Sequence, residues 1–185
     1  MNSGSSPELG YYHAVHSTLR ENIIEHLFVG ELLRRLWQLG VFDAEILKSG
    51  FDAGGYDLVL THRDVTRHIQ LKVSREKGAR AAVGVGLRLG RKPSGCVVWL
   101  GVDDSLAVLS YRWFGGLPGQ PLPDISAMPV ARHAKGDAKG VKNNRENHRV
   151  VSKKAFKEVP NLDALILTLL GDDLVQESDG EHLAN

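Results

Sequence analysis

Residues 96–103, CVVWLGVD, form a nearly continuous apolar run rich in valine. A half-buried strand alternates apolar and polar side chains. An unbroken run of this length therefore predicts a strand at the centre of a sheet, covered on both faces. A chain that contains such a strand must supply two covering layers, which predicts an α/β domain with a helix on each side of the sheet. Residues 105–113, SLAVLSYRW, follow after a short connection and read as the neighbouring strand. At 185 residues the chain suffices for one such core and not for a second.

The remaining segments fit around that strand. Residues 17–40 carry apolar side chains at helical spacing and end at Gly40, which predicts a long amphipathic helix. Thr18 followed by Glu21 has the spacing of a capping box and places its start near residue 18. Residues 44–49, 56–61 and 66–74 read as three strands. A glycine-rich turn separates the first two, and a tight turn at Arg63 and Asp64 separates the last two, so they predict an antiparallel meander. Residues 75–95 read as a second helix, weakened by Gly84 and Gly86 at about 1 kcal/mol each relative to alanine. Residues 115–129 are rich in glycine and proline and predict loop, and residues 159–171 predict a closing helix stopped by Gly171. The resulting organisation is a flexible segment over 1–17, a single domain over 18–171 with a basic loop at about 115–149 inserted before the last helix, and a polar tail over 172–185.

The meander places polar groups where a plain sheet would not need them. Side chains alternate along a strand, so Gln70 and Lys72 share one side and Ile69, Leu71 and Val73 the other. Folding the hairpin brings Asp57 beside Gln70 and Lys72. The plain reading is a solvated sheet face with a cross-strand ion pair worth about 0.2–1 kcal/mol. The first helix points to a second reading. Winding it at about 100° per residue gathers Arg20, Glu31, Arg34, Arg35 and Gln38 on a polar face, with Glu31 placed to pair with Arg35. Glu25 instead falls with Ile24, Phe28, Leu32 and Leu36, facing whatever the helix packs against. A carboxylate there requires a lysine, a metal ion or ordered water. Carboxylate and amide oxygens are hard ligands suited to Mg²⁺, and a lysine beside them can stabilise charge growing on a phosphate.

Taken in order, Glu25 on the first helix, Asp57 at the start of the second strand after "AGGYDLVL", and Gln70-Leu71-Lys72 on the third resemble the PD-(D/E)XK nuclease superfamily. The similarity spans roughly residues 18–115 and is nearest to the Holliday-junction-resolvase-like and Mrr-like branches, as a QxK variant. It implies a restriction-endonuclease-like core, with a mixed central sheet built from a three-stranded meander plus further strands and flanked by helices. It also implies Mg²⁺-dependent (or Mn²⁺-dependent) hydrolysis of DNA phosphodiester bonds. Glu25, Asp57 and Gln70 would hold the metal, and Lys72 would assist the attacking water. Gln70 stands where an acidic residue is usual, so a domain that binds nucleic acid without cutting it is the alternative on the same scaffold. A purely structural hairpin is a third reading, and requires Glu25 to point away from the sheet.

Formal net charge is only +1, so global charge identifies no partner. Lysine and arginine nonetheless far outnumber acidic residues between 131 and 157, where Lys135, Lys139, Lys142, Arg145 and Arg149 are placed to meet phosphates. Arg75, Lys77, Arg80, Arg88, Arg91 and Lys92 follow the motif and could guide a backbone towards it. DNA is the partner the resemblance implies, and a homodimer is an arrangement it allows. The histidines have no zinc-ligand spacing, although His68 shares the face of Gln70. The lone Cys96 excludes a disulfide framework, no apolar stretch reaches membrane-spanning length and no signal-peptide order opens the chain. A soluble cytoplasmic protein is the expectation, with no membrane partner.

Overall fold

Strand β5 (Gly95–Val102) is buried along its whole length, as its unbroken apolar run requires. In the computed structural model, which describes residues 11–12, 15–50, 54–132, 144–172 and 174, it lies inside a six-stranded mixed sheet. The order is β1-β2-β3-β5-β6-β9, where β1 is Glu45–Lys48, β2 Leu58–His62, β3 Val65–Arg75, β6 Val108–Gly115 and β9 Lys157–Val159. The first three strands form the expected antiparallel meander, with Arg63 at φ 49° in the tight turn between β2 and β3. β3 then pairs in parallel with β5, and β6 and β9 continue antiparallel. The protein is thus α/β with a mixed sheet. No helix among the described residues is long and apolar enough to cross a membrane.

One face of this sheet carries both helices. Helix α1 (Ser17–Gln38) buries Ile24, Phe28, Leu32 and Leu36, and helix α2 (Leu162–Leu170) buries Leu165, Ile166, Leu169 and Leu170. These side chains pack on Ile69, Val73, Cys96, Val98 and Leu100. Arg35 ties the helices together through two hydrogen bonds to Asp163, at 2.5 and 2.7 Å. Glu31 consequently pairs with Arg34 (2.6 Å) rather than with Arg35. Gly171, at φ 91°, ends α2 as expected, and the Asn161 side chain accepts the Ala164 amide at its start.

The other face differs from the sequence expectation. Residues 75–95 make strand β4 (Ala82–Gly86) and a short 3₁₀ turn (Leu87–Arg91) instead of a helix. Val83 and Val85 are buried on either side of Gly84, a period-two pattern that glycine tolerates in a strand and penalises in a helix. β4 pairs with β8 (Asn144–Ser152), and β8 with β7 (Val130–Arg132), in a second, antiparallel sheet. Val83, Val85, Leu89, Val151 and Phe156 from this layer pack on Val97, Trp99 and Phe114. The basic segment expected to be loop is therefore partly strand, with Arg145 and Arg149 on β8. Lys135, Lys139 and Lys142 lie outside the described residues.

Both ends depart from expectation as well. The Thr18–Glu21 box does not cap α1, whose first residue follows His16 with no side-chain cap. Residues 11–12 and 15 are already helical. The His16 amide donates to the Tyr12 carbonyl and the Arg20 amide to that of His16, both at 2.9 Å, so upstream carbonyls satisfy donors that a cap would have served. At the other end, Leu174 belongs to the core rather than to a polar tail.

Just past β3, Glu76 is locked to β6. Its carboxylate accepts hydrogen bonds from Arg112 (3.0 and 3.3 Å) and Ser110 (2.5 Å). A Cβ on Gly101 would collide with Glu76 Oε2 and Ser110 Oγ, so a larger residue there would push this carboxylate and hydroxyl aside. The Arg112 hydrogen bonds, then that of Ser110, hold the Glu76 carboxyl below the usual carboxylate range.

Two outcomes follow from this packing. Phe28, 1 % exposed, faces the sheet, whereas Leu27 is 49 % exposed. In urea denaturation Phe28→Ala should cost about 3–5 kcal/mol, and Leu27→Ala less than about 1 kcal/mol. Glu76 has its folded pKa depressed, so its contribution is complete above its ordinary value near 4.5 and disappears as pH falls through the lower folded value. The stability gap between wild type and Glu76→Gln should therefore be full at neutral pH and close in acid, as read from urea midpoints between pH 7 and 3.

Candidate active site

Strand β3 is longer than its neighbour β2. The β2 register ends at Leu58 opposite Ile69, while β3 continues to Arg75, where among the described residues only β5 pairs with it. Backbone groups along a strand point alternately to its two sides. The Asp57 amide donates to the Ile69 carbonyl, so Leu71 and Val73 present their backbone groups to the side where β2 is missing. An unpaired strand edge of this kind needs other partners, and side chains supply them. The Leu71 amide donates to Asp57 Oδ2 at 2.7 Å, and Arg80 Nη1 donates to the Val73 carbonyl at 3.2 Å. Asp57 is itself fixed through its backbone, because its carbonyl accepts the Ser49 amide at 2.8 Å. The turn before it uses Gly55 at φ 75°, where a Cβ would also crowd the Leu89 amide at 3.1 Å.

A cleft of 470 Å³ runs along this edge. Its floor is Asp57 with Leu71, Lys72 and Val73. One wall is the first half of α1, through Glu21, Asn22 and Glu25. The opposite wall is Arg80 and the second sheet, through Ala82, Val83 and Gly84 of β4, Ala131 and Arg132 of β7, and Arg145 and Val150 of β8.

Glu25, Asp57 and Lys72 all line this cleft, and Gln70 does not. The route by which Glu25 arrives corrects the sequence expectation. In register Gln70 lies beside Val97 and Lys72 beside Trp99, both in the core beneath the second sheet, while α1 packs on the opposite face. Glu25 therefore reaches the cleft around the free edge of β3, and does not face Gln70 and Lys72 across one layer. Its carboxylate pairs with Lys48 Nζ at 2.6 Å and its side chain is 17 % exposed. The partner this inward carboxylate requires is thus a lysine on β1, a residue no motif marks. Gln70 is 3 % exposed, and its Oε1 is buried with no hydrogen-bond partner among the described residues.

The other sequence-predicted groups are distributed less evenly. His68 is a structural residue, with Nδ1 2.8 Å from the Pro93 carbonyl and its ring edge-on to Tyr56. Arg75 pairs with Asp104 at 2.5 Å, and Lys77 is exposed beyond the end of β3. Arg149 donates to the carbonyls of Ser126, Glu146 and His148 and is outside the cleft. Arg145 lines it, 3.0 Å from His148 Nε2. Arg80 and Arg132 complete that wall, the latter singled out by no spacing or motif.

Among the described residues no three Asp, Glu, His or Cys side chains come together as a metal site. The oxygen donors here are the Asp57 and Glu25 carboxylates on the cleft, the latter beside Lys48, and the Gln70 amide oxygen, which is buried behind the floor and does not line it. A buried amide oxygen without a partner is an atom that a cation or an ordered water would satisfy. An oxygen-only set with few protein ligands also suits Mg²⁺, which keeps several of its waters. The donor chemistry therefore fits that ion. No protein-family model matches the chain, and neither does any curated protein or solved structure.

Replacing Gln70 by glutamate tests this donor set. A buried carboxylate without a counter-charge should lower stability by about 1–3 kcal/mol or more in EDTA. Mg²⁺ or Mn²⁺ should then raise the Tm of Gln70→Glu by more than that of wild type. Thermal melts with and without metal read both effects, and a variant indifferent to metal would count against this donor set.

Proposed function

We propose that this protein is a QxK-type member of the PD-(D/E)XK nuclease superfamily, with a restriction-endonuclease-like core, and hydrolyses DNA phosphodiester bonds with Mg²⁺ or Mn²⁺. The observation that carries the proposal is the meeting of Asp57, Lys72 and Glu25 in one cleft where β3 outruns β2. The order of a helix, an antiparallel meander and further strands supports it. The departure is the second sheet, which stands where the superfamily resemblance would put a second helix.

In the hydrolysis, water adds to phosphorus, one P–O ester bond breaks, and the strand is left with a phosphomonoester end and a hydroxyl end. Asp57 and Gln70 would hold the metal, with Glu25 contributing directly or through water. The bound ion supplies Lewis-acid polarisation of the phosphoryl group. The chain contributes positioning. Asp57 is held in place by the Leu71 amide, and Lys48 fixes the Glu25 carboxylate at the wall. Lys72 extends from the residue next to Leu71, so its ammonium is carried on the same stretch of backbone that fixes Asp57. From there it orients the attacking water and stabilises negative charge growing on the phosphate oxygens.

A second reading, a DNA-binding module that does not cut, is favoured by Gln70, which removes one negative charge from the expected ligand set. A cleavage panel of linear, nicked, branched and single-stranded DNA, with Mg²⁺ and with Mn²⁺, separates the two. The nuclease reading expects cleavage by wild type and a loss of about 10²–10³-fold in Lys72→Ala, whose melting curve should remain cooperative. Intact substrates throughout, with salt-sensitive binding retained, would establish the second reading instead.

A further inference from the structure

The cleft separates charge by wall. Carboxylates occupy the α1 side and the floor, through Glu21, Glu25 and Asp57, while the second-sheet side carries the guanidinium groups of Arg80, Arg132 and Arg145. Arginine presents a planar fork of donors that matches phosphate oxygens, and one Arg80 donor is already anchored on the Val73 carbonyl, which aims the rest of the group along the edge. Between these arginines the wall carries Ala82, Gly84 and Ala131 alongside Val83 and Val150, and a polymer backbone can approach closely over the three small residues. Among the described residues no aromatic side chain lines the cleft, and these residues offer no platform on which a base could stack.

Resting on the nuclease reading for the identity of the polymer, we propose that the cleft takes a single DNA strand by its phosphates. Arg80, Arg132 and Arg145 grip the backbone, and the bases are turned outward and unread. The size of the cleft supports one strand over two. A volume of 470 Å³ lies within the roughly 300–1,000 Å³ that holds a drug-sized molecule. A double helix, whose major groove alone is about 12 Å wide, has a far larger cross-section than a concavity of this volume takes in. The substrate is accordingly a single strand, a frayed end or an unpaired flap, and selection among sequences is weak because contacts to phosphate carry no sequence information.

Fluorescence anisotropy in EDTA, where no cleavage intervenes, tests this with a labelled oligo-dT, a mixed-sequence single strand and a duplex of equal length. Wild type should bind both single strands at least about ten-fold more tightly than the duplex. Arg132→Ala and Arg145→Ala should each weaken that binding and lower the slope of log affinity against log salt by about 0.7 for each phosphate left without its arginine. Arg34→Ala, whose side chain pairs with Glu31 on the solvent side of α1, should change neither. Arg132 is exposed at the end of β7, so its variant reports binding without disturbing the core. Equal or tighter duplex binding, or unchanged salt slopes in both cleft variants, would overturn the inference. Duplex cleavage that depends on Lys72 would overturn it while leaving the nuclease reading intact. Single-strand binding with the expected slopes, but no cleavage in Mg²⁺ or Mn²⁺, would keep the inference and remove the nuclease reading.

Discussion

The hydrogen bond from the Leu71 amide to the Asp57 carboxylate is the contact around which the cleft is organised. β2 begins at Leu58, and beyond it β3 would present a bare edge on that side. Asp57 covers the first unpaired donor with its side chain, which ends the pairing and fixes an acidic group beside the motif lysine. Arg80 covers the Val73 carbonyl in the same manner. An aspartate that merely decorated the sheet would leave this edge open to another strand. Here the edge is closed by charged side chains, and the space they leave becomes a polar cleft between two layers.

The two covering layers are unlike, and the asymmetry gives the cleft its polarity. Helices α1 and α2 share one face, joined by Arg35 and Asp163, and α1 brings Glu21 and Glu25 to the edge. The second sheet covers the other face and brings Arg132 and Arg145 to the same edge. Each layer is anchored by its own apolar cluster, so charges at the cleft are set by which layer ends there. The Glu25–Lys48 pair shows how an inward carboxylate is tolerated at the margin of the helix layer: it sits at the boundary with solvent and has a nearby counter-charge.

Much of this is legible in the sequence where a pattern is local. The apolar run of β5, the alternation along β3 and the tight turn at Arg63 locate the meander and place Asp57 near Lys72, because register in a hairpin follows from its turn. The second sheet is not legible. β4 has five residues, two of them glycine, and the β8 residues it pairs with lie 62 to 70 positions further along, from Gly86–His148 to Ala82–Ser152, so no local window contains the pairing that makes it a strand. Helical winding gives the inward face of Glu25 correctly but not its partner, since Lys48 comes from a different element and an exposed lysine has no distinguishing pattern. Nor can alternation reveal that Gln70 is sealed beneath the second sheet, because the layer that buries it leaves no local trace of its own. The unused capping box at Thr18 has a similar origin: the residues before it continue the helix, and a local motif is idle where backbone carbonyls already serve the same amides.

The central proposal is that Asp57 and Gln70 hold a divalent cation at the point where β2 leaves β3. Paramagnetic broadening by Mn²⁺, followed on amide signals of ¹⁵N-labelled protein, tests it most directly. With the cation held there, broadening starts at the Asp57 and Leu71 backbone amides and the Gln70 side-chain amide, spreads along the cleft edge, and is lost in Asp57→Asn. Unaffected signals at these positions, or broadening centred elsewhere on the chain, would contradict it.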